Sequence, residues 1–84
     1  MRTVEREGRV FNVYGVIIDK KWFTAIYEMA VVEGEETIVK GPIAIHEPSA
    51  VNTHGPLVLH DSEEQAESAG NSYIKQDFLK RSNN

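Results

Sequence analysis

Residues 9–19 read Arg-Val-Phe-Asn-Val-Tyr-Gly-Val-Ile-Ile-Asp, and residues 22–32 resume the same β-branched and aromatic character after Lys20 and Lys21. Such runs fit pleated, largely buried strands, and Gly15 inside the first marks a bulge or a close backbone approach. Together they predict a hairpin. A closure with Asp19 opposite Trp22 sets Ile18 against Phe23, Val16 against Ala25 and Tyr14 against Tyr27. Residues 33–36, Glu-Gly-Glu-Glu, form the next turn, with Gly34 free to take a positive φ. Residues 37–46 predict a third strand. Pro42 has no amide hydrogen, which places this strand at a sheet edge or breaks it in the middle. Short connections favour an antiparallel meander.

Residues 47–56 hold two prolines and a glycine among small polar side chains and predict a loop. Residues 57–59, Leu-Val-Leu, supply a short fourth strand or an apolar tuck. A helix opens at residues 61–65, where Ser62 with Gln65, or Asp61 with Glu64, fits a capping box. Ala66, Ala69, Gly70, Tyr73 and Ile74 fall in one stripe at 3.6 residues per turn, with Phe78 on its margin. Small residues at 66, 69 and 70 allow a close approach to the sheet.

The fold class predicted is α+β: a three-stranded antiparallel β-meander with one C-terminal α-helix packed on one face, in the order β-β-β-α. Residues 1–8 form a flexible arm, residues 9–79 a single domain, and residues 80–84 a disordered tail. The core is expected from Val10, Tyr14, Val16, Ile18, Phe23, Ala25, Tyr27, Met29, Val31, Ile43, Ile45, Ala66, Ala69, Tyr73, Ile74 and Phe78. Pointing Ile43 and Ile45 with Phe23 requires a bulge or odd loop near Gly34 or Gly41; a regular turn places Ala44 and His46 there instead.

Neither face of the predicted hairpin is polar. The second face carries Phe11, Val13, Ile17, Trp22 and Ile26, broken by Thr24 and Glu28. Three strands span ~14 Å, and a helix of about 18 residues is ~27 Å long and roughly 10–12 Å wide, enough for one face. The other face, on the order of 400 Å², is near the largest apolar patch a soluble monomer shows. Phe11, Val13, Ile17, Trp22 and Ile26 are therefore the expected interaction surface, for a second copy in a homodimer or for another protein.

Composition narrows the alternatives. The chain has 84 residues, no cysteine, 40% hydrophobic residues and a formal net charge of −4. That length fits one domain, and the absence of cysteine removes disulfides and cysteine-based zinc sites. No apolar run reaches the ~18 residues of a membrane span, and residues 1–8 lack the apolar stretch of a secretory signal, so a cytoplasmic location is expected. His46, His54 and His60 match no zinc spacing, no Gly-x-Ser-x-Gly elbow surrounds a serine, and no glycine cluster precedes a helix. The expectation is a non-enzymatic protein with no cofactor, no metal and no membrane partner.

Nucleic acid is the alternative partner. The order of elements over residues 9–79 resembles the small DNA-binding domains that lay a three-stranded sheet in a major groove, and the bacterial cell-division activator family. The first of these resemblances implies a sheet face turned to phosphate and base edges. Charge runs the other way: residues 1–46 carry six basic and seven acidic side chains, and residues 47–84 three and six. Phosphate binding ordinarily shows a basic stripe. Protein contact leads, with a nucleic-acid-binding accessory role behind it.

Overall fold

The computed structural model describes residues 1–47 and 55–78. Four strands precede one helix: β1 (Arg2–Arg6), β2 (Arg9–Ile18), β3 (Lys21–Val32), β4 (Glu35–Ala44) and α1 (Glu63–Tyr73), which runs on into a π-helical turn over Ile74–Phe78. The strands form one antiparallel sheet in the order β1-β2-β3-β4. The α+β class and the meander of the sequence reading are both present. The molecule measures 39 × 31 × 17 Å, a slab one sheet and one helix thick.

The fourth strand is not residues 57–59 but the N-terminal segment read as a flexible arm. Val4 is the only apolar residue in Arg2–Arg6, yet it lies opposite Phe11 and is buried. Residues 57–59 instead run alongside isolated bridges, His46 with Leu57 and Trp22 with His60. The tail at residues 80–84 lies outside the described residues.

Three consecutive hairpins close through two-residue turns in which both φ angles are positive: Glu7-Gly8 (51° and 78°), Asp19-Lys20 (49° and 67°) and Glu33-Gly34 (53° and 82°). This turn type matches the right-handed twist of its flanking strands. The central hairpin therefore turns at Asp19-Lys20, and Ile17 faces Trp22, Val16 faces Phe23 and Tyr14 faces Ala25. The expected pairing is displaced by two residues, a shift that leaves each side chain on its face.

β4 is an edge strand, as Pro42 demands. Its register slips twice, between the pairs Ile26–Ile43 and Glu28–Lys40 and again before Met29–Ile38, and the Gly41–Pro42 peptide bond is cis. Two slips cancel in parity, so Ala44 lies opposite Ala25, on Phe23's face, while Ile43 lies opposite Ile26. The expectation that Ile43 points with Phe23 is thus reversed, and Ile43 packs against the main core.

That core contains Val4, Phe11, Val13 and Ile26 from the sheet and Ile74 from the helical segment, with Ala66 also buried. Of the expected core, Ala25, Ala66 and Ile74 are buried, and Ile43 and Tyr73 pack at its margin. Tyr14, Val16, Ile18 and Val31 are exposed instead. The Phe78 side chain lies outside the described residues.

The helix chooses its face by shape. Ser62 caps it by accepting from the Gln65 amide at 3.2 Å, and Gln65 Oε1 accepts from the Asp61 amide at 3.0 Å. Both bonds satisfy amides that a helix start leaves unpaired. Gly15 and Thr24, paired across β2 and β3, leave a shallow site for this first turn. A Cβ on Gly15 would lie 2.9 Å from Glu63 Cγ, and one on Gly70 would overlap Val13. Thr24 Oγ1 donates to the Ala66 carbonyl at 2.6 Å. The opposite face carries the bulkier Tyr14, Val16, Phe23 and Tyr27.

Candidate interaction surface

Because side chains alternate along a strand, β2 and β3 divide cleanly into a helix side and an outer side. Phe11, Val13 and Ile26, expected on the uncovered face, lie beneath the helix at 0%, 0% and 1% exposure. The sequence reading grouped them correctly and assigned the helix to the wrong face. Trp22 is half-buried, and Ile17 is exposed beyond the helix start. Of the five expected contact residues, only these two remain accessible.

Among the described residues, the face that no helix covers is the outer one. Tyr14, Val16 and Ile18 of β2, Val31 of β3 and Ile38 of β4 are exposed, while Phe23, Tyr27 and Met29 are half-buried among them. The Tyr14 and Tyr27 rings meet edge to face, with centroids 5.7 Å apart and an interplanar angle of 86°. This pairing holds both rings across neighbouring strands and adds about 1 kcal/mol beyond their burial. Tyr14, Val16, Tyr27 and Ile38, with Gly15, Ile17 and Trp22, line an apolar depression of about 520 Å³.

Arg9, Lys21 and the N-terminal amine are engaged with carboxylates. Arg9 grips Glu28 through two bonds, Nε to Oε2 at 2.9 Å and Nη2 to Oε1 at 2.7 Å, and its guanidinium sits 5.4 Å from the Phe11 ring centroid. The Arg9 bonds hold the Glu28 carboxyl below the usual carboxylate range and raise Arg9 in turn. Lys21 bonds Asp61 just before the helix and lowers that carboxyl's pKa. The N-terminal amine meets Glu67 at 2.9 Å. Among the described residues, no basic stripe crosses the outer face.

No protein-family model, curated protein or solved structure matches this chain. The four strands ahead of the helix also depart from the three-stranded plan of the resemblance drawn above. Among the described residues, no three His, Asp or Glu side chains gather at metal-binding distance, and no helix is long and apolar enough to cross a membrane. His46 donates from Nδ1 to the Gly55 carbonyl at 2.9 Å, and His60 Nε2 is buried with no hydrogen-bond partner among the described residues. His54 lies outside the described residues.

The exposed apolar residues that sequence reasoning missed are Tyr14, Val16 and Ile38. Their apolar character and strand parity were visible. What decides their exposure is that Gly15 and Thr24 make the opposite face the better seat for a helix carrying Ala66 and Gly70.

Proposed function

We propose that this protein is a small non-enzymatic interaction module that self-associates through its sheet. The carrying observation is the outer face: tyrosine, valine and isoleucine side chains on β2 and β4 stand in water, with Val16 37% and Ile38 55% exposed. Covering such a patch removes apolar area from water at roughly 25 cal/mol per Å², and a second copy is the simplest complementary body. The depression lined by Tyr14, Tyr27 and Ile38 gives the face relief that a partner side chain could fill.

Protein contact is favoured over nucleic acid by charge. Arg9 and Lys21 are paired with carboxylates, and the chain's formal net charge is −4. Phosphate contacts would call for free cations on the exposed sheet.

Light scattering coupled to size exclusion, run at rising protein concentration, tests the reading. It predicts a dimer at micromolar concentrations and a folded monomer for Val16→Glu, since position 16 is already exposed. A wild-type protein that stays monomeric at high micromolar concentration contradicts it.

A further inference from the structure

β1 pairs with only half of β2, leaving Tyr14 to Ile18 with no strand partner on that side among the described residues. In an antiparallel ladder, successive residues direct their N–H and C=O groups to opposite neighbours. The pair Ile18–Lys21 flanks the two-residue turn and exchanges both of its bonds within the hairpin. Alternation from that pair turns the backbone groups of Gly15 and Ile17 outward, just as it turns those of Arg9, Phe11 and Val13 toward β1.

The sheet's other edges carry features that discourage pairing. β4 has two register slips, Pro42 and the charges of Glu35, Glu36 and Lys40. β1 is five residues long and bears Arg2, Glu5 and Arg6. Charges, proline and bulges are the ordinary guards of an edge strand. The segment Tyr-Gly-Val-Ile-Ile at residues 14–18 has none of them, and Val16, Ile17 and Ile18 are exposed.

We infer that this open stretch of β2 is the seam of the self-association proposed above, joining the same edge of a second copy antiparallel about a two-fold axis through Val16. The inference rests on the self-association of that reading and moves its contact from the outer face to the open strand edge. In this register Gly15 lies opposite the partner's Ile17, and these residues exchange the N–H and C=O groups that otherwise face water. Val16 meets its own counterpart in the closer, non-hydrogen-bonded pairing, and Tyr14 meets the partner's Ile18 on the outer face. Glycine beside isoleucine fits small against large on the helix side. The two sheets become one continuous sheet, with both helices on one side and both Tyr14–Tyr27 pairs on the other. Glu63, packed over Gly15 in each copy, brings like charges toward the seam, so added salt tightens rather than loosens the dimer.

Ile17→Pro tests the seam. It removes an amide that donates to nothing within the hairpin, a position where an edge strand tolerates proline. The variant, verified as folded by circular dichroism, is expected to be monomeric where wild type is dimeric, while Ile38→Glu on the outer face remains dimeric. A second measurement covers loss of folding: Val16→Cys, in a chain with no native cysteine, should cross-link to a covalent dimer under mild oxidation far faster than Ile38→Cys. A folded Ile17→Pro dimer, or faster cross-linking through position 38, overturns the seam and leaves self-association by the outer face standing. A monomeric wild type removes the parent reading instead.

Discussion

Gly70 of α1 rests directly on Val13 of β2, with no room between them for a methyl group. Alanine there would gain roughly 1 kcal/mol of helix propensity. It would also overlap Val13 Cγ1 and lie 2.7 Å from Thr24 Cγ2, both in the buried floor of the core. Overpacking of this kind costs about 1–3 kcal/mol. Gly70→Ala is therefore expected to lower stability despite its better intrinsic propensity, measured as a lower urea midpoint with an unchanged slope. A stabilised variant would mean that the helix does not sit this close.

Thr24 is the polar residue buried at the same contact, and its hydroxyl is satisfied by the Ala66 carbonyl. Thr24→Val keeps the shape and deletes the bond. The expected loss is about 1 kcal/mol, read from chemical denaturation, and Thr24→Ser should retain part of it. Equal stability of Thr24→Val and wild type would show that the hydroxyl does not anchor α1.

Lys20 sits at φ 67° in the central turn, a conformation costly for a side chain with a Cβ. Lys20→Gly relieves that cost, partly offset by greater freedom of the unfolded chain. The net expectation is a gain of roughly 0.5 kcal/mol in thermal or urea unfolding. Destabilisation would argue that the hairpin turns elsewhere.

The Arg9–Glu28 clamp makes stability depend on acid. Because the Glu28 carboxyl is more acidic in the folded protein than in the unfolded chain, the unfolded state takes up the proton first as pH falls. Its contribution is fully present above the ordinary carboxylate pKa and disappears as pH drops through the depressed folded value, in a window from about pH 5 downward. Glu28→Gln should be less stable than wild type at neutral pH and lose less on acidification. Parallel acid titrations of the two proteins would contradict the clamp.

Much of the framework was legible from residue pattern alone. The β-branched runs placed β2 and β3, Ser62 with Gln65 placed the helix start, Pro42 placed β4 at an edge, and Gly15 announced a close approach. β1 escaped because Arg2–Arg6 carries a single apolar residue, although Glu7-Gly8 ahead of a strong strand was a turn signal. The choice of face escaped because both faces of the hairpin are apolar, so alternation cannot rank them. Counting greasy side chains favours the face of Tyr14, Val16 and Tyr27. Helix packing instead rewards a trough, and Gly15 opposite Thr24 provides one on the other side.

The most direct test of this division of faces uses the absence of native cysteine. Single-cysteine variants Val13→Cys and Val16→Cys occupy the same strand and opposite faces, one wholly buried and one open to water. Thiol-labelling rates measured across protein concentration should show Val13→Cys reacting only on unfolding. Val16→Cys should react readily in dilute solution and progressively more slowly as the protein is concentrated. Ready labelling at position 13, or a rate at position 16 indifferent to concentration, would contradict the account.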